Sequence, residues 1–230
     1  MRHILFSFLM MASLVGILMM APQGYAMNES GEFQEGLAIE LGVKGGANLH
    51  TTSHDSTTSG AYKSVFGVGM TGLVAADFIF TQLLGLEANF GWITRGNVLA
   101  ATASPTTFTH FGFNTLALPV LLKLRFMTGS FVPYFGAGLD PYIIVSTGAS
   151  TGSATATALP LTALNTFGLG IVGSLGFVYY FGDWGVTFDT RYTYSVTNVL
   201  KTGSTFAAGA GTSFNLQEIS ALVGFMYRIM

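Results

Sequence analysis

The feature that most constrains this chain is a strict two-residue alternation that puts every charge of a hairpin on one face and leaves the other face apolar. In residues 115–126, Leu116, Leu118, Val120, Leu122, Leu124 and Phe126 share one face. Thr115, Ala117, Pro119, Leu121, Lys123 and Arg125 share the other. A tight turn, Met127-Thr128-Gly129-Ser130, leads into residues 131–145. There Phe131, Pro133, Phe135, Ala137, Leu139, Pro141, Ile143 and Val145 form a second apolar face, and Asp140 lies opposite. Successive side chains of a strand point to opposite sides. A soluble sheet covers its apolar face with a second layer. A transmembrane barrel turns that face to lipid and its polar face to a lumen.

Composition decides between the two. The chain of 230 residues is 50% hydrophobic and only 9% charged, against about 25% charged in soluble domains. Beyond the first residues it has no apolar run of helix length. In lipid only helices and closed barrels satisfy their own backbone, so the chain is expected to be an all-β, antiparallel transmembrane barrel. Net charge is −2 and no basic run occurs, which excludes a nucleic-acid partner. The absence of cysteine excludes disulfides and a thiol nucleophile.

Arg2-His3 precedes an almost wholly apolar run over residues 4–21, and Gly24-Tyr25-Ala26 follows. This is the pattern of a secretory signal peptide cut after Ala26. Residues 1–26 are therefore read as signal, 27–36, with Glu29, Glu32 and Glu35, as a periplasmic lead-in, and 37–230 as the barrel. Period-two scanning gives eight strands, at 37–48, 64–78, 83–96, 110–126, 131–146, 163–181, 184–200 and 214–229. Tight connections at 78–83, 127–130 and 181–184 alternate with long ones at 49–63, 97–109, 147–162 and 201–213. Short periplasmic turns and long outer loops are the outer-membrane pattern, which places both termini in the periplasm. The long loops, rich in Ser, Thr, Ala and Gly, read as solvated tips. Phe78, Phe126, Phe131, Tyr179, Phe181, Trp184 and Tyr227 are expected in one aromatic girdle, and Trp92, Phe113, Phe167 and Tyr194 in the other.

Two G-x-G-x-x-G matches, Gly67-Val-Gly69-Met-Thr-Gly72 and Gly168-Leu-Gly170-Ile-Val-Gly173, lie inside alternating strands with no helix after them. A dinucleotide site needs that helix. The glycines are read as room for bulky lumen neighbours or as points of strand bending. His50, His54 and Asp55 fall in a Ser/Thr-rich loop where no helix aligns them, so neither a metal site nor catalysis is expected, and no cofactor. The main constellation is the inward charge set. Lys44, Arg95, Lys123, Arg125, Arg191 and Arg228 face Glu40, Asp77, Glu87, Asp140, Asp189 and Glu218. These twelve come from the chain's 9 Lys and Arg and 11 Asp and Glu. An eight-stranded barrel is just wide enough for side chains to fill it, and buried charges must be paired. The expected function is an outer-membrane barrel with a charge-filled lumen and a structural or surface-associated role. The alternatives are a narrow channel or binding barrel for small molecules, apolar ones included, and, more weakly, a rim enzyme.

The segments LALPVLLKLRF (116–126) and FVPYFGAGLDPYIIV (131–145) resemble two strands of the PorT-like outer-membrane β-barrel domain. GVKGGANL (42–49), LGLEANFGW (84–92) and DTRYTYSVTNV (189–199) agree with it. These short motifs are shared with the OmpW and OmpX types of small barrel. The resemblance implies an outer-membrane location, contact with outer-membrane lipid, and recognition of the C-terminal strand by the barrel-assembly machinery. An accessory role in protein secretion is a further implication. Phe225, Tyr227 and Ile229 carry the spacing of an assembly signal, although such signals usually end in Phe or Trp and this chain ends in Met230. The mature protein is expected to begin at Met27. N-terminal sequencing of the membrane-bound protein checks this, and a start at Met1 contradicts it.

Overall fold

The structure, a computed structural model, describes residues 25–27, 33–35, 37–54, 62–101, 104–126, 129–151, 161–201 and 214–229. The apolar run 4–21, Glu29, Glu32, Asp55, Met230 and the tips of the Ser/Thr-rich loops lie outside them. A small ladder pairs Tyr25–Met27 with Phe33–Glu35, and the expected cut after Ala26 falls within it.

Eight antiparallel walls form the barrel. They are β1 (Ala38–His54), β2 (Tyr62–Val65, continued by Gly67–Ile79), β3 (Leu84–Ala101) and β4 (Ser104–Ala117, continued by Val120–Arg125). β5 (Phe131–Thr151), β6 (Phe167–Phe181), β7 (Trp184–Ser195) and β8 (Phe214–Arg228) follow. Each wall pairs with the next. β8 then returns to β1, from Arg228↔Glu40 to Phe214↔His54. Closure gives every wall two paired neighbours, since a strand in hydrocarbon cannot tolerate an open edge. Among the described residues the one helical element is a 3₁₀ turn, Leu161–Ala163.

Burial alternates with the sequence period. Along β6 and β7 every second residue is buried in the lumen, and those between reach the surface. Val74, Phe90, Phe135 and Phe225 are more than half exposed on the outer belt. Aromatics cluster at the short-turn end, where the Trp184 and Tyr227 rings lie 4.8 Å apart and Phe126 meets Phe135 edge-on at 5.9 Å. At the two-residue turn after β6, Gly182 has φ +67°, the positive φ that primed hairpin turns require of their first central residue.

The structure differs from the sequence reading in several places. β1 runs six residues past its expected end, because Leu49–His54 pair with Phe214–Ile219. His50 and His54 are therefore strand residues, not loop residues. The expected long loop at 97–109 is largely absorbed, with β3 reaching Ala101 and β4 starting at Ser104. These Thr-, Ala- and Phe-bearing stretches satisfy their backbone by pairing and so extend the wall. β6 begins at Phe167, not 163, and β7 stops at Ser195, not 200. β4 is interrupted at Leu118-Pro119, where proline offers no N–H. The carbonyl of Pro119 still accepts from Asn89 N–H at 2.8 Å, and Leu118 N–H donates to Pro141 O at 2.9 Å. Phe113, expected in a girdle, is buried inside the barrel.

Leu124 is half exposed on the outer face and Leu121 is fully buried. Leu124→Arg is expected to impair insertion, since a cation at mid-depth costs about 2–4 kcal/mol. Leu121→Arg is expected to insert, yet to lose stability because it crowds a filled lumen. Heat-modifiable gel mobility after refolding into vesicles measures both, and equal insertion of the two variants would contradict the assigned faces.

Candidate functional site: the barrel lumen

All twelve inward charges lie inside the barrel. Eleven are buried, and Arg228, with its side chain 13% exposed, closes the short-turn end. Their sequence positions give only the direction of each side chain. The structure adds the pairing, which runs in three tiers.

At the base, Arg228 Nη2 donates to Glu40 Oε1 at 2.9 Å. Tyr180 OH donates to Glu40 Oε2 at 2.9 Å and accepts from Arg125 Nη2 at 2.6 Å. One phenol thus links a carboxylate on β1 to a guanidinium on β4. The middle tier centres on Glu87 of β3, which is fully buried. It accepts from Lys44 Nζ at 2.7 Å, from Arg191 Nη2 at 2.7 Å and from Lys123. Those cations stand on β1, β7 and β4. Asn89 Nδ2 adds a bond to Glu87 Oε1 at 2.9 Å. Asp189 accepts from Lys44 at 3.2 Å and Arg191 at 2.5 Å, and Asp77 accepts from Lys123 at 2.7 Å. Arg125 lies farther from Asp77, at 3.7 Å. In the upper tier, Arg95 of β3 bridges Asp140 of β5 and Glu218 of β8, with Nε 2.8 Å from Glu218 Oε2.

Charge balance holds across the tiers, not within each. Asp77, Glu87 and Asp189 face four cations, Lys44, Lys123, Arg125 and Arg191, whereas Asp140 and Glu218 share Arg95. Three tyrosines that the sequence reading gave no role complete the packing. Lys123 Nζ lies 4.1 Å from the centre of the Tyr134 ring, and Arg95 and Arg228 lie 4.7 Å from the Tyr142 and Tyr180 rings. Glycine was the signal that marked two of them. Gly168 pairs with Tyr142, and Gly176 with Tyr134. A Cβ on Gly168 would fall on the Tyr142 ring, and one on Gly176 would lie 2.7 Å from Tyr134 OH. Gly67 and Gly69 likewise make room for His50 and Asn48, whereas Gly72 and Gly173 meet nothing within 4 Å. His50 itself is buried, with Nδ1 3.1 Å from Asn48 Oδ1.

An apolar cluster rises through the lumen beside the tiers. It starts at the level of the middle tier, where Leu73 pairs with Lys44 and Leu222 with Asp189, and continues through Ile93, Phe113, Ile144 and Leu216 to Leu164, Val199 and Leu200. Leu164 and Leu200 come from the two long connections flanking β6 and β7, and they pair with each other in an isolated bridge. Asn165 N–H donates to Val199 O at 2.8 Å, and Lys201 N–H to Ala163 O at 3.1 Å. These segments form a hydrophobic stopper over the ionic tiers. The sequence reading missed it, because it placed Leu164 and Leu200 at the ends of two strands, whereas β6 begins at Phe167 and β7 stops at Ser195.

Glu87→Gln is expected to leave Lys44, Lys123 and Arg191 short of their shared partner. The loss of stability should be about 3–5 kcal/mol, the scale for breaking a buried pair. Arg125→Ala should cost less, since Asp77 keeps Lys123. Urea unfolding of the barrel in lipid vesicles measures both, and a loss near the roughly 0–1 kcal/mol of a surface pair for Glu87→Gln would show that water reaches the tier.

The geometry agrees with comparisons to known proteins. The chain resembles the solved structure of outer membrane protein OprG from Pseudomonas aeruginosa, at 14% identity over 84% of this chain and 96% of that one, with a TM-score of 0.50. It is also similar to Neisserial surface protein A, at 15% identity over 84% and 99% of the two chains, TM-score 0.46. Escherichia coli outer membrane protein W gives 19% identity over 84% and 98%, TM-score 0.39. The OprG likeness shows the fold. No curated protein sequence matches the chain. A family model described as outer membrane protein beta-barrel domain matches residues 26–201, most of the chain. With an apolar belt outside, paired charges inside and that match, the chain belongs to the outer membrane protein β-barrel domain family, and it resides in the outer membrane.

Proposed function

We propose that this protein is a closed, non-conducting barrel with a structural or surface-displaying role in the outer membrane. The observation that carries the reading is a double seal across one lumen. The ionic tiers fill the lower half with side chains that bind one another. The apolar cluster that ends in Leu164 and Leu200 packs the lumen from beside these tiers toward the long connections. An ion entering from either end meets fixed pairs or a dewetted apolar plug, and each presents a barrier to a hydrated ion. A narrow channel would need both seals to open, so the seals argue against that alternative.

The same reading sets the topology. The signal peptide is removed, the termini and short turns face the periplasm, and the long connections face outward. The C-terminal strand, with Phe225, Tyr227 and Ile229 on the outer face, is presented to the assembly machinery. The resemblance to the PorT-like domain keeps a secretion-accessory role as a weaker reading, since it rests on short motifs alone.

Reconstitution of the purified barrel in a planar bilayer tests the closed lumen. No steady current is expected from the wild type. Ohmic single-channel current would overturn the sealed reading and promote the channel.

A further inference from the structure

We propose that a pocket on the rim between β6 and β7 binds the phosphorylated sugar headgroup of an outer-leaflet glycolipid. The inference rests on the reading of the long-connection end as the outer surface. The pocket, about 460 Å³, is lined by Asn165, Thr166, Phe167, Thr197, Asn198 and Lys201. That volume lies within the ~300–1,000 Å³ of small-molecule sites.

Its position favours a lipid. Phe167 starts β6 and is more than half exposed. Ile171 and Val196, both exposed, continue the apolar belt beside it. Above Phe167 the lining becomes amide, hydroxyl and ammonium within a few residues. A ligand in this pocket is therefore offered an apolar surface on one side and polar groups on the other, as a glycolipid presents them at the membrane boundary.

The polar groups define the headgroup. Lys201 is exposed and makes no ion pair among the described residues. The other cations with described side chains, Lys44, Arg95, Lys123, Arg125, Arg191 and Arg228, are all paired in the lumen. Lys201 Nζ donates to Thr162 O at 2.8 Å. An ammonium has three donors, so two are left for a phosphate. Asn165 donates through Nδ2 to Asn198 O at 2.8 Å and Leu200 O at 3.1 Å, which leaves Oδ1 as an acceptor for a sugar hydroxyl. These internal bonds, with Leu164 and Leu200 buried in the stopper, fix the pocket wall before any ligand arrives. Preorganisation of this kind lowers the cost of binding.

Native mass spectrometry of the full-length barrel, purified and placed in nanodiscs of zwitterionic lipid, tests the pocket with bisphosphorylated lipid A as the probe. Wild type and Lys201→Arg are expected to retain it. Lys201→Gln is expected to weaken it about tenfold, the factor that ~1.4 kcal/mol represents, with heat-modifiable mobility unchanged. Equal retention by Lys201→Gln would overturn the proposal. So would equal binding of dephosphorylated lipid A or phosphatidylglycerol, or equally strong competition by inorganic phosphate, which would mark a free-anion site. An epitope inserted after Gly152 separates the two readings. An epitope reached by antibody on intact cells, with no lipid A binding, overturns the pocket alone. An epitope hidden on intact cells overturns the orientation and the pocket together.

Discussion

A backbone in hydrocarbon has no water to bond with, so every N–H and C=O of a spanning strand must find a partner on another strand. This constraint shapes the rest of the molecule. It forces β8 back onto β1, where all of β8 pairs with Glu40–His54. Closure in turn creates an inside that eight strands leave barely wide enough for side chains. The alternating pattern then sends charges into that narrow space. Once there they must pair, because an isolated buried ion is far more costly than a hydrogen-bonded one. The ionic tiers are thus a consequence of closure plus alternation, and the glycines opposite Tyr134 and Tyr142 are a consequence of the limited volume.

The part of this legible from sequence is the part with a fixed local rule. Side-chain direction in a strand depends only on odd or even position. The inward placement of Lys123, Arg125 and Asp140 could therefore be read without knowing any partner. Pairing has no local rule. Arg95 meets Glu218, 123 residues away, and Glu87 meets Arg191, 104 residues away, on walls that do not adjoin. Strand ends were also illegible. Residues 49–54 look like a polar loop by composition, yet they lie opposite Phe214–Ile219 and continue the ladder. The stopper was hidden for a third reason. By periodicity Leu164 and Leu200 read as strand ends, and only the bridge between the two connections gives them a common site.

The ionic lumen also disciplines the register. A slip of one residue on any wall would exchange its two faces. On β7 that would carry Asp189 and Arg191 into lipid and bring Phe188 and Tyr192 into the lumen. On β4 it would do the same to Lys123 and Arg125. In this barrel the charges are a penalty placed on wrong pairings as well as a filling for the right one. An apolar lumen of equal volume could pack as well, but it would distinguish one register from the next far less sharply.

Glu87 draws its cations from β1, β4 and β7, and this has a consequence for how the chain is built. Lys44 belongs to the first wall and Arg191 to the seventh, so their shared partner cannot gather both until nearly the whole wall is in place. Before that moment each group keeps its own shell of water. The final ring closure therefore coincides with the expulsion of that water and the joining of opposite walls by side-chain spokes. A barrel missing its last strand would be an open, wet trough, in which Arg95 lacks Glu218 and Glu40 lacks Arg228 while water reaches the spokes that remain.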